Sequence, residues 1–227
     1  MPPSSHLVFL FSDQQHWQAA GFVDPSFRTP ALDRLAAEGM AFSHAFCTAP
    51  QCSPSRSSLL TGWYPSTTGV LGNIGSAGGD ALRMPTIGEL LRRAGYRTAY
   101  FGKRHMGNQR GQRPGFDYSA SFVGQGRYND CPFEINGVST TTTGWVDDVT
   151  TAYAVEWMEQ NRDRPFSMVV GFKTPHSPRG GKNLPERLRN LYAGETSRRT
   201  PNFGVPPIFR DPVPPGGKQP QGLADNA

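Results

Sequence analysis

The stretch CSPSRSSLLTG, residues 52–62, says more about the fold and chemistry of this chain than any other. Residues 54–60 have the features of a helix start, so Cys52 stands just before a helix N-terminus. The free N–H groups and the dipole of a helix N-terminus favour an anion at that place. Arg56 lies one helical turn beyond Cys52, where its guanidinium can point back toward the same helix end. These residues predict a nucleophile or an anion-binding site at the start of this helix.

On both sides of this stretch, short apolar runs alternate with helical patterns. The run LVFLF, residues 7–11, is continuous and is typical of a strand buried on both faces of a parallel sheet. Further strands are predicted at 97–101 and 166–172, and helices at 29–39, 85–95 and 146–161. Residues 106–144 are rich in Gly, Thr and Asn, and we interpret them as long loops or small excursions. Strands that alternate with helices predict a layered α/β fold with a mostly parallel sheet.

Polar side chains that can bind a metal or an oxyanion follow each of the three predicted strands. In chain order they are Asp13 and Gln14, then Lys103 and His105, then Lys173 and His176. Ligands of α/β folds bind beyond the carboxyl ends of the strands. Because three strand ends carry such residues, we expect a site at this edge of the sheet.

The composition is that of a globular protein and excludes a collagen, a coiled coil and a fully disordered chain. The chain has 227 residues, of which 36% are hydrophobic, and a net charge of +5. Residues 179–199 hold six basic and two acidic residues, which account for +4 of that charge. We interpret this basic patch as a solvated surface, so the charge gives no case for a nucleic-acid partner. Residues 201–227 contain seven Pro and four Gly and are predicted to form an irregular tail.

Cysteine usage and hydropathy bear on location. The three cysteines allow at most one disulfide, and we interpret Cys47 and Cys131 as small buried apolar residues. The apolar run at residues 7–11 is too short for the core of a signal peptide, and no stretch approaches the ~20 apolar residues that cross a membrane. These features predict a soluble cytoplasmic protein with no membrane partner.

Residues 52–62 resemble the signature of the type I sulfatases, a family of the alkaline-phosphatase-like superfamily, in which a Cys-x-Pro-Ser-Arg core is followed by Thr-Gly. Three more segments resemble the family in the expected order. Residues 9–21 resemble its first strand with a metal-binding acid, FGKRHMG at 101–107 its Gly-Lys-x-His-x-Gly segment, and TPHSP at 174–178 its Pro-His-x-Pro segment. The resemblance covers roughly residues 5–180 and implies a three-layer α/β sandwich with a mostly parallel sheet.

The resemblance also implies a nucleophile and a cofactor. Cys52 would be oxidised to formylglycine by a formylglycine-generating or sulfatase-maturing enzyme. The metal would be a divalent cation, usually Ca²⁺ in this family, bound by Asp13, Gln14 and the modified Cys52. Gln14 departs from the more common second Asp, and this removes one negative charge from the site.

Catalytic roles follow from the same resemblance, with a sulfate ester as the substrate. One hydroxyl of the hydrated formylglycine, made more acidic by the metal and Arg56, would attack sulfur. Lys103 and His105 would contact sulfate oxygens, and His105 would also assist the collapse that releases sulfate. His176 would contact the bridging oxygen and protonate the leaving alcohol. These residues are the expected catalytic and substrate-binding set.

The chain departs from the family beyond Pro178. Residues 183–207 resemble the loop that follows the Pro-His-x-Pro segment, but no later strand with Asp-Asn or Asp-His follows, and we do not assign 225–226 to the metal. We therefore expect an incomplete catalytic domain at 1–200 followed by the tail at 201–227. The expected function is a sulfuric ester hydrolase. The alternatives are a phosphonate or phosphodiester hydrolase of the same superfamily and a non-catalytic truncated homologue.

Several residues are left outside the predicted site because no motif includes them. His16, His44 and Lys173 belong to this group. Asp147 and Asp148 are interpreted as acids in the first turn of a helix, where the helix dipole stabilises their negative charge.

Overall fold

The computed structural model describes residues 5–73, 82–107, 110–178 and 180–196 of the chain. The chain divides into two compact units, residues 1–185 and residues 186–227. In the described part, the second unit contains one 3₁₀ helix, Glu186–Leu188. The strands of the first unit are β1 (Leu7–Phe11), β2 (Arg97–Lys103), β3 (Tyr118–Phe122), β4 (Phe133–Ile135), β5 (Val138–Thr140) and β6 (Phe166–Gly171). Its helices are α1 (Pro30–Glu38), α2 (Cys52–Thr61), α3 (Pro65–Thr68), α4 (Ile87–Arg93), α5 (Val146–Asn161) and a 3₁₀ turn at Gly181–Asn183.

The six strands form one mixed sheet in the order β1-β6-β2-β3-β4-β5. β1, β6, β2 and β3 are parallel to one another, whereas β4 pairs antiparallel with β3, and β5 pairs antiparallel with β4. Gly171 of β6 lies opposite both Phe11 of β1 and Gly102 of β2. The carboxyl ends of three parallel strands are therefore level, so the residues that follow them meet at one edge of the sheet.

Helices cover the sheet on two faces. Phe101 and Val170 pack in a cluster with Trp157 of α5, whereas their strand neighbours Tyr100 and Val169 pack in a second cluster with Leu60 of α2. Successive side chains of a strand point to opposite faces, so the two clusters lie on opposite sides of the sheet. This arrangement confirms the predicted α/β fold, with helices, sheet and helices as its three layers.

The interpretation of residues 106–144 as loops is wrong for three segments, which form β3, β4 and β5. Strand β3 lacks a long apolar run because two of its buried positions are the small residues Ser119 and Ser121. β4 and β5 form a hairpin whose two-residue turn is Asn136-Gly137, with φ of 47° and 88°. An Asn-Gly pair with positive φ at both positions is the preferred two-residue hairpin turn, so this hairpin had a sequence signal.

The expectation that β1 is buried on both faces is also wrong. The side chains of Leu7, Val8, Phe9 and Leu10 are 42–53% exposed. β1 is an edge strand of the sheet, and only β6 pairs with it in the described residues. Helix α1 forms at the predicted place, but it buries none of its residues in the described part of the chain. The apolar character of β1 thus exceeds what its observed neighbours cover.

Glycines at the ends of β2 and β6 allow these strands to come close together. Gly102 has a φ of 75°, and a Cβ at this position would collide with the carbonyl oxygen of Gly171 and lie 2.9 Å from Thr150 Cγ2. Only glycine meets both the positive φ and the close approach without strain. This explains why a glycine directly precedes Lys103 in the chain.

The expectations about membrane spans, the basic patch at 179–199 and the tail at 201–227 have different outcomes. None of the helices in the described ranges is long and apolar enough to cross a membrane, and the cytoplasmic location stays a prediction. The described basic residues of the patch at 179–199, Lys182, Arg187 and Arg189, are exposed, as expected of a solvated surface. The predicted tail at 201–227 and its boundary at residue 200 lie outside the described residues, so both stay predictions.

Candidate active site

Asp13 and Lys103 meet at the carboxyl edge of the sheet. Asp13 follows β1, and Lys103 is the last residue of β2, so the two residues reach toward each other past the end of β6. The Lys103 ammonium forms an ion pair with Oδ2 of Asp13, and their side chains are 0% and 7% exposed. The strand-end argument therefore located two groups that are far apart in sequence but in contact in the fold.

Arg56 joins this ion pair from α2. The helix begins at Cys52, two residues earlier than predicted, and Arg56 lies one turn further along it. Its Nη2 donates to Oδ2 of Asp13 at 3.1 Å, and its Nη1 donates to the carbonyl oxygen of Lys103. The guanidinium also lies 4.7 Å from the centre of the Phe11 ring. Arg56 thus connects the helix N-terminus to the ends of β1 and β2.

The sulfur of Cys52 lies beside the ion pair. Cys52 Sγ is 3.6 Å from Asp13 Oδ1 and 3.6 Å from Lys103 Nζ. The possible ligand atoms of Asp13, Cys52 and His176 all lie within 4.8 Å of one another. Nδ1 of His176 is 2.6 Å from the carbonyl oxygen of Ser177, which favours the Nδ1–H tautomer and leaves Nε2 as the acceptor. Three strand ends and one helix start therefore converge on this sulfur.

Charge in this cluster is unbalanced. Burial alone would raise the pKa of Asp13, but the charges of Arg56 and Lys103 outweigh it and hold the pKa below its usual value. Asp13 is therefore ionised at neutral pH and faces two cations with a single negative charge. The uncompensated positive charge favours an anion next to Cys52.

His105 lies two residues beyond β2 in a backbone conformation that is unusual for histidine. Its φ is 52°, and its carbonyl oxygen accepts a hydrogen bond from the Ser53 hydroxyl at 2.7 Å. Burial, followed by the charges of Lys103 and Arg56, lowers the pKa of His105 to about 4. The imidazole is therefore neutral at pH 7. No group among the described residues forms a hydrogen bond with its Nδ1.

Gln14 follows Asp13 in the chain, but its side chain points to Ser177 and not to the ion pair. Its φ of 64° lies in the left-handed region, which costs energy for residues other than glycine. Its side-chain oxygen accepts a hydrogen bond of 3.4 Å from the backbone N–H of Ser177, and the residue is exposed. Gln14 thus contacts the segment that carries His176, and its role as a metal ligand stays a prediction.

Two residues outside the predicted site belong to this region: Lys173, which follows a predicted strand but lies in no motif, and Gln125. Lys173 is 3% exposed, and its ammonium donates to the carbonyl oxygen of Gln125 at 2.9 Å and lies 4.8 Å from the centre of the Tyr128 ring. The side-chain oxygen of Gln125 accepts from the Lys103 ammonium. Burial, followed by the charge of Lys103, lowers the pKa of Lys173. Gln125 follows β3, so the rule about strand ends would have reached it if β3 had been recognised.

The other cysteines and histidines lie apart from the cluster. Cys131 is buried, as expected, but the expectation is wrong for Cys47, which lies in the segment 40–48, where every residue is exposed. Burial raises the pKa of the Cys131 thiol. His16 and His44 are exposed; Nδ1 of His16 accepts from the backbone N–H of Gln18 at 3.3 Å, and Nδ1 of His44 lies 2.9 Å from the Ser43 hydroxyl.

The donor atoms of the cluster fit part of the shell of a hard divalent cation. Ca²⁺ takes about six to eight oxygen ligands. Oδ1 of Asp13 points to the Cys52 sulfur rather than to the two cations, so it is the carboxylate oxygen best placed to bind a metal. Sulfur is a soft donor that suits Ca²⁺ poorly, so Cys52 fits such a site only when oxygen replaces its sulfur.

The fold and the cluster together define a class of protein. The three-layer α/β fold, and the meeting of Cys52, Arg56 and Lys103 at the carboxyl edge of its sheet, agree with the resemblance to the type I sulfatases of the alkaline-phosphatase-like superfamily. Among protein-family models, the sulfatase family matches residues 5–203. The chain belongs to the sulfatase family.

Individual relatives agree with this assignment. The chain is 34% identical over 224 residues to the ulvan-active sulfatase of Formosa agariphila, a match that covers 92% of this chain and 42% of that protein. A solved structure of a protein in complex with its substrate D-glucosamine-2-N,6-O-disulfate is similar with a TM-score of 0.67 and 30% identity, covering 76% of this chain and 35% of that one. The chain thus spans about two fifths of the length of the curated relative.

A phosphonate monoester hydrolase of Agrobacterium radiobacter is also similar in structure. Its TM-score is 0.59 at 19% identity, and the match covers 83% of this chain and 44% of that one. This likeness concerns the fold alone.

Proposed function

We propose that this chain carries the nucleophile and the sulfate-binding residues of a sulfuric ester hydrolase. The observation that supports this most is the buried cluster in which Arg56 and Lys103 both contact Asp13 beside the Cys52 sulfur. Its excess positive charge matches a sulfate ester, and its place at the ends of parallel strands is where α/β folds bind small ligands. The named sulfatase relative points in the same direction.

The position of each residue supports the role that we propose for it. Lys103 is 3.6 Å from Cys52 Sγ, so its ammonium would contact an oxygen of a sulfate whose sulfur lies in front of residue 52. Neutral His105 would donate an N–H to another oxygen. His176 would contact the bridging oxygen through Nε2 and, in its doubly protonated form, give the leaving alcohol the proton of that nitrogen. Arg56 would hold the carboxylate of Asp13 and add positive charge.

We further propose that Cys52 is converted to formylglycine by a formylglycine-generating or sulfatase-maturing enzyme. The hydrated aldehyde offers two hydroxyl groups. The first would lose its proton to solvent and form a bond to sulfur as the S–O bond of the ester breaks. The second would lose its proton as the C–O bond to sulfate breaks, which re-forms the aldehyde and releases sulfate. A divalent cation held by Asp13, Gln14 and an oxygen of residue 52 would make the attacking hydroxyl more acidic.

Lys103→Met should weaken the binding of inorganic sulfate by about 30-fold or more, since a buried charge contact is worth ~2 kcal/mol or more. Methionine keeps an unbranched chain of similar length but removes the charge. Isothermal titration calorimetry of the 227-residue chain measures the effect. Lys182→Met is the matched control, because Lys182 is exposed and its loss changes the net charge equally. Equal sulfate affinity in all three proteins would contradict the proposed site.

The same titrations separate sulfate from phosphonate chemistry. If the chain belongs to a phosphonate or phosphodiester hydrolase, phenylphosphonate should bind more tightly than sulfate, and Lys103→Met should weaken both. For a sulfuric ester hydrolase we expect the reverse preference.

Conversion of Cys52 is the second expected result. The core that the maturing enzyme reads, Cys-x-Pro-x-Arg, is complete at residues 52–56. Mass spectrometry of the peptide that contains residue 52 should show an aldehyde in place of the thiol after co-expression with a maturing enzyme. Cells without that enzyme provide the control and should give the thiol alone. A thiol in both preparations would contradict the proposal that Cys52 is converted to formylglycine.

A further inference from the structure

The carboxylate of Asp147 is buried at the start of α5 and bonds to the segment that leads to His176. Asp147 is 4% exposed. Its Oδ1 accepts from the backbone N–H of Lys173 at 2.8 Å. Its Oδ2 accepts from the backbone N–H of Thr174 at 2.9 Å and from the Thr174 hydroxyl at 2.6 Å. Both carboxylate oxygens thus bind one short piece of chain at the carboxyl end of β6.

That piece of chain is also bonded to Asp13 on its other side. The carbonyl oxygen of Thr174 accepts from the backbone N–H of Asp13 at 2.8 Å. Two residues before Thr174, the N–H of Phe172 donates to the carbonyl oxygen of Phe11 at 3.0 Å. His176 follows two residues after Thr174, and its backbone N–H donates to the carbonyl oxygen of Lys173 at 3.1 Å. The segment 173–176 therefore connects Asp147, the backbone of Asp13 and the side chain of His176.

A role in helix stability alone does not account for this geometry. Asp147 and Asp148 both lie in the first turn of α5, where the helix dipole stabilises the negative charge of either acid. Asp148 is exposed, whereas Asp147 is buried, and burial of a carboxylate is costly unless hydrogen bonds compensate it. The three described bonds of the Asp147 side chain all reach the segment 173–176. The interpretation of Asp147 as a helix N-terminal acid is therefore incomplete.

We propose that Asp147 is a positioning residue for the active site. It fixes the segment 173–176 and through it sets the place of His176 and of the Asp13 backbone relative to Cys52. This inference rests on the proposed function in so far as the site that it positions is a sulfate site. Groups that orient the residues in contact with a ligand commonly decide how well the ligand is held.

Four variants of the 227-residue chain test this role. Asp147→Asn keeps the shape of the side chain but replaces one acceptor oxygen by a donor, so it cannot make all three bonds. Asp148→Asn removes the neighbouring exposed charge from the same helix turn and is its control. Thr174→Val removes the hydroxyl bond while it keeps the shape, and Thr174→Ser restores the hydroxyl. The measurements are the NMR shifts of the His176 ring and of the Asp13 amide, the affinity for inorganic sulfate, and the melting temperature.

We expect Asp147→Asn to shift the His176 ring and Asp13 amide resonances and to weaken sulfate binding by about tenfold. Thr174→Val should give shifts in the same direction, and Asp148→Asn and Thr174→Ser should match the wild type. A lower melting temperature with unchanged resonances in Asp147→Asn overturns the proposal, because it is the mark of a purely structural role. If Asp147→Asn does not fold, Thr174→Val decides by the same resonances.

Failure of the proposed function gives a different result. If sulfate does not bind to the wild-type chain at all, the site is not a sulfate site. The resonances of His176 and Asp13 still report whether Asp147 positions them, because they are measured without ligand. The two proposals can therefore fail separately.

Discussion

Asp13→Asn is expected to lower the free energy of unfolding by about 3–5 kcal/mol, because it leaves buried cations without their counter-charge. Arg56 and Lys103 are 4% and 0% exposed, and the carboxylate of Asp13 contacts both. Asparagine can accept hydrogen bonds from them but cannot neutralise either charge. Urea denaturation of the 227-residue chain, followed by circular dichroism, measures the loss.

Asp163→Asn is the matched control for this experiment. Asp163 pairs with Arg97 at 3.9 Å, but the two side chains are 64% and 39% exposed, so its loss should cost no more than about 1 kcal/mol. The double variant Asp13→Asn/Lys103→Met should recover part of the stability, because it removes one of the two unpaired cations. A loss for Asp13→Asn as small as that for Asp163→Asn would show that the buried ion pairs do not hold the strand ends together.

The central part of the fold was predictable because its signals are local. The apolar runs of β1, β2 and β6 mark parallel strands, and the rule about carboxyl ends then places Asp13, Lys103 and the residues after β6 at one edge. Arg56 was predictable from helix periodicity, since residues four apart lie on the same side of a helix. The topology brings the strand ends to one edge, whereas the side-chain contacts of Arg56 and Lys103 with Asp13 are seen only in the structure.

The missed features depend on tertiary neighbours. β3 has small residues at buried positions, so its apolar signal is weak. Because β3 was not predicted, Gln125 after it and the surroundings of Lys173 were not predicted either. The exposure of β1 depends on which strands lie beside it and not on its own composition.

Backbone geometry explains a second group of misses. Gln14 and His105 both adopt a positive φ, which no sequence pattern around them indicates. The bonds between Asp147 and Thr174 join residues 27 positions apart in sequence, so the helix pattern of α5 could not reveal them.

The 227-residue chain with converted Cys52 is expected to have little sulfatase activity on its own. In the described residues, Asp13 is the only carboxylate near the Cys52 sulfur, and Ca²⁺ requires about six to eight oxygens. A cation that is weakly held adds little acidity to the attacking hydroxyl, and several kcal/mol of transition-state stabilisation depend on it. A loss of ~4 kcal/mol lowers the rate about a thousandfold.

Release of para-nitrophenol from its sulfate ester, measured with added Ca²⁺, tests this expectation. The rate of Cys52→Ala gives the background, and a complete sulfatase assayed in parallel gives the upper limit. Robust turnover above the Cys52→Ala rate contradicts the expectation and shows that these residues suffice for catalysis. Background rates together with sulfate binding that is lost in Lys103→Met are the expected result, because the described residues then hold sulfate but offer too few ligands to hold the cation that turnover needs.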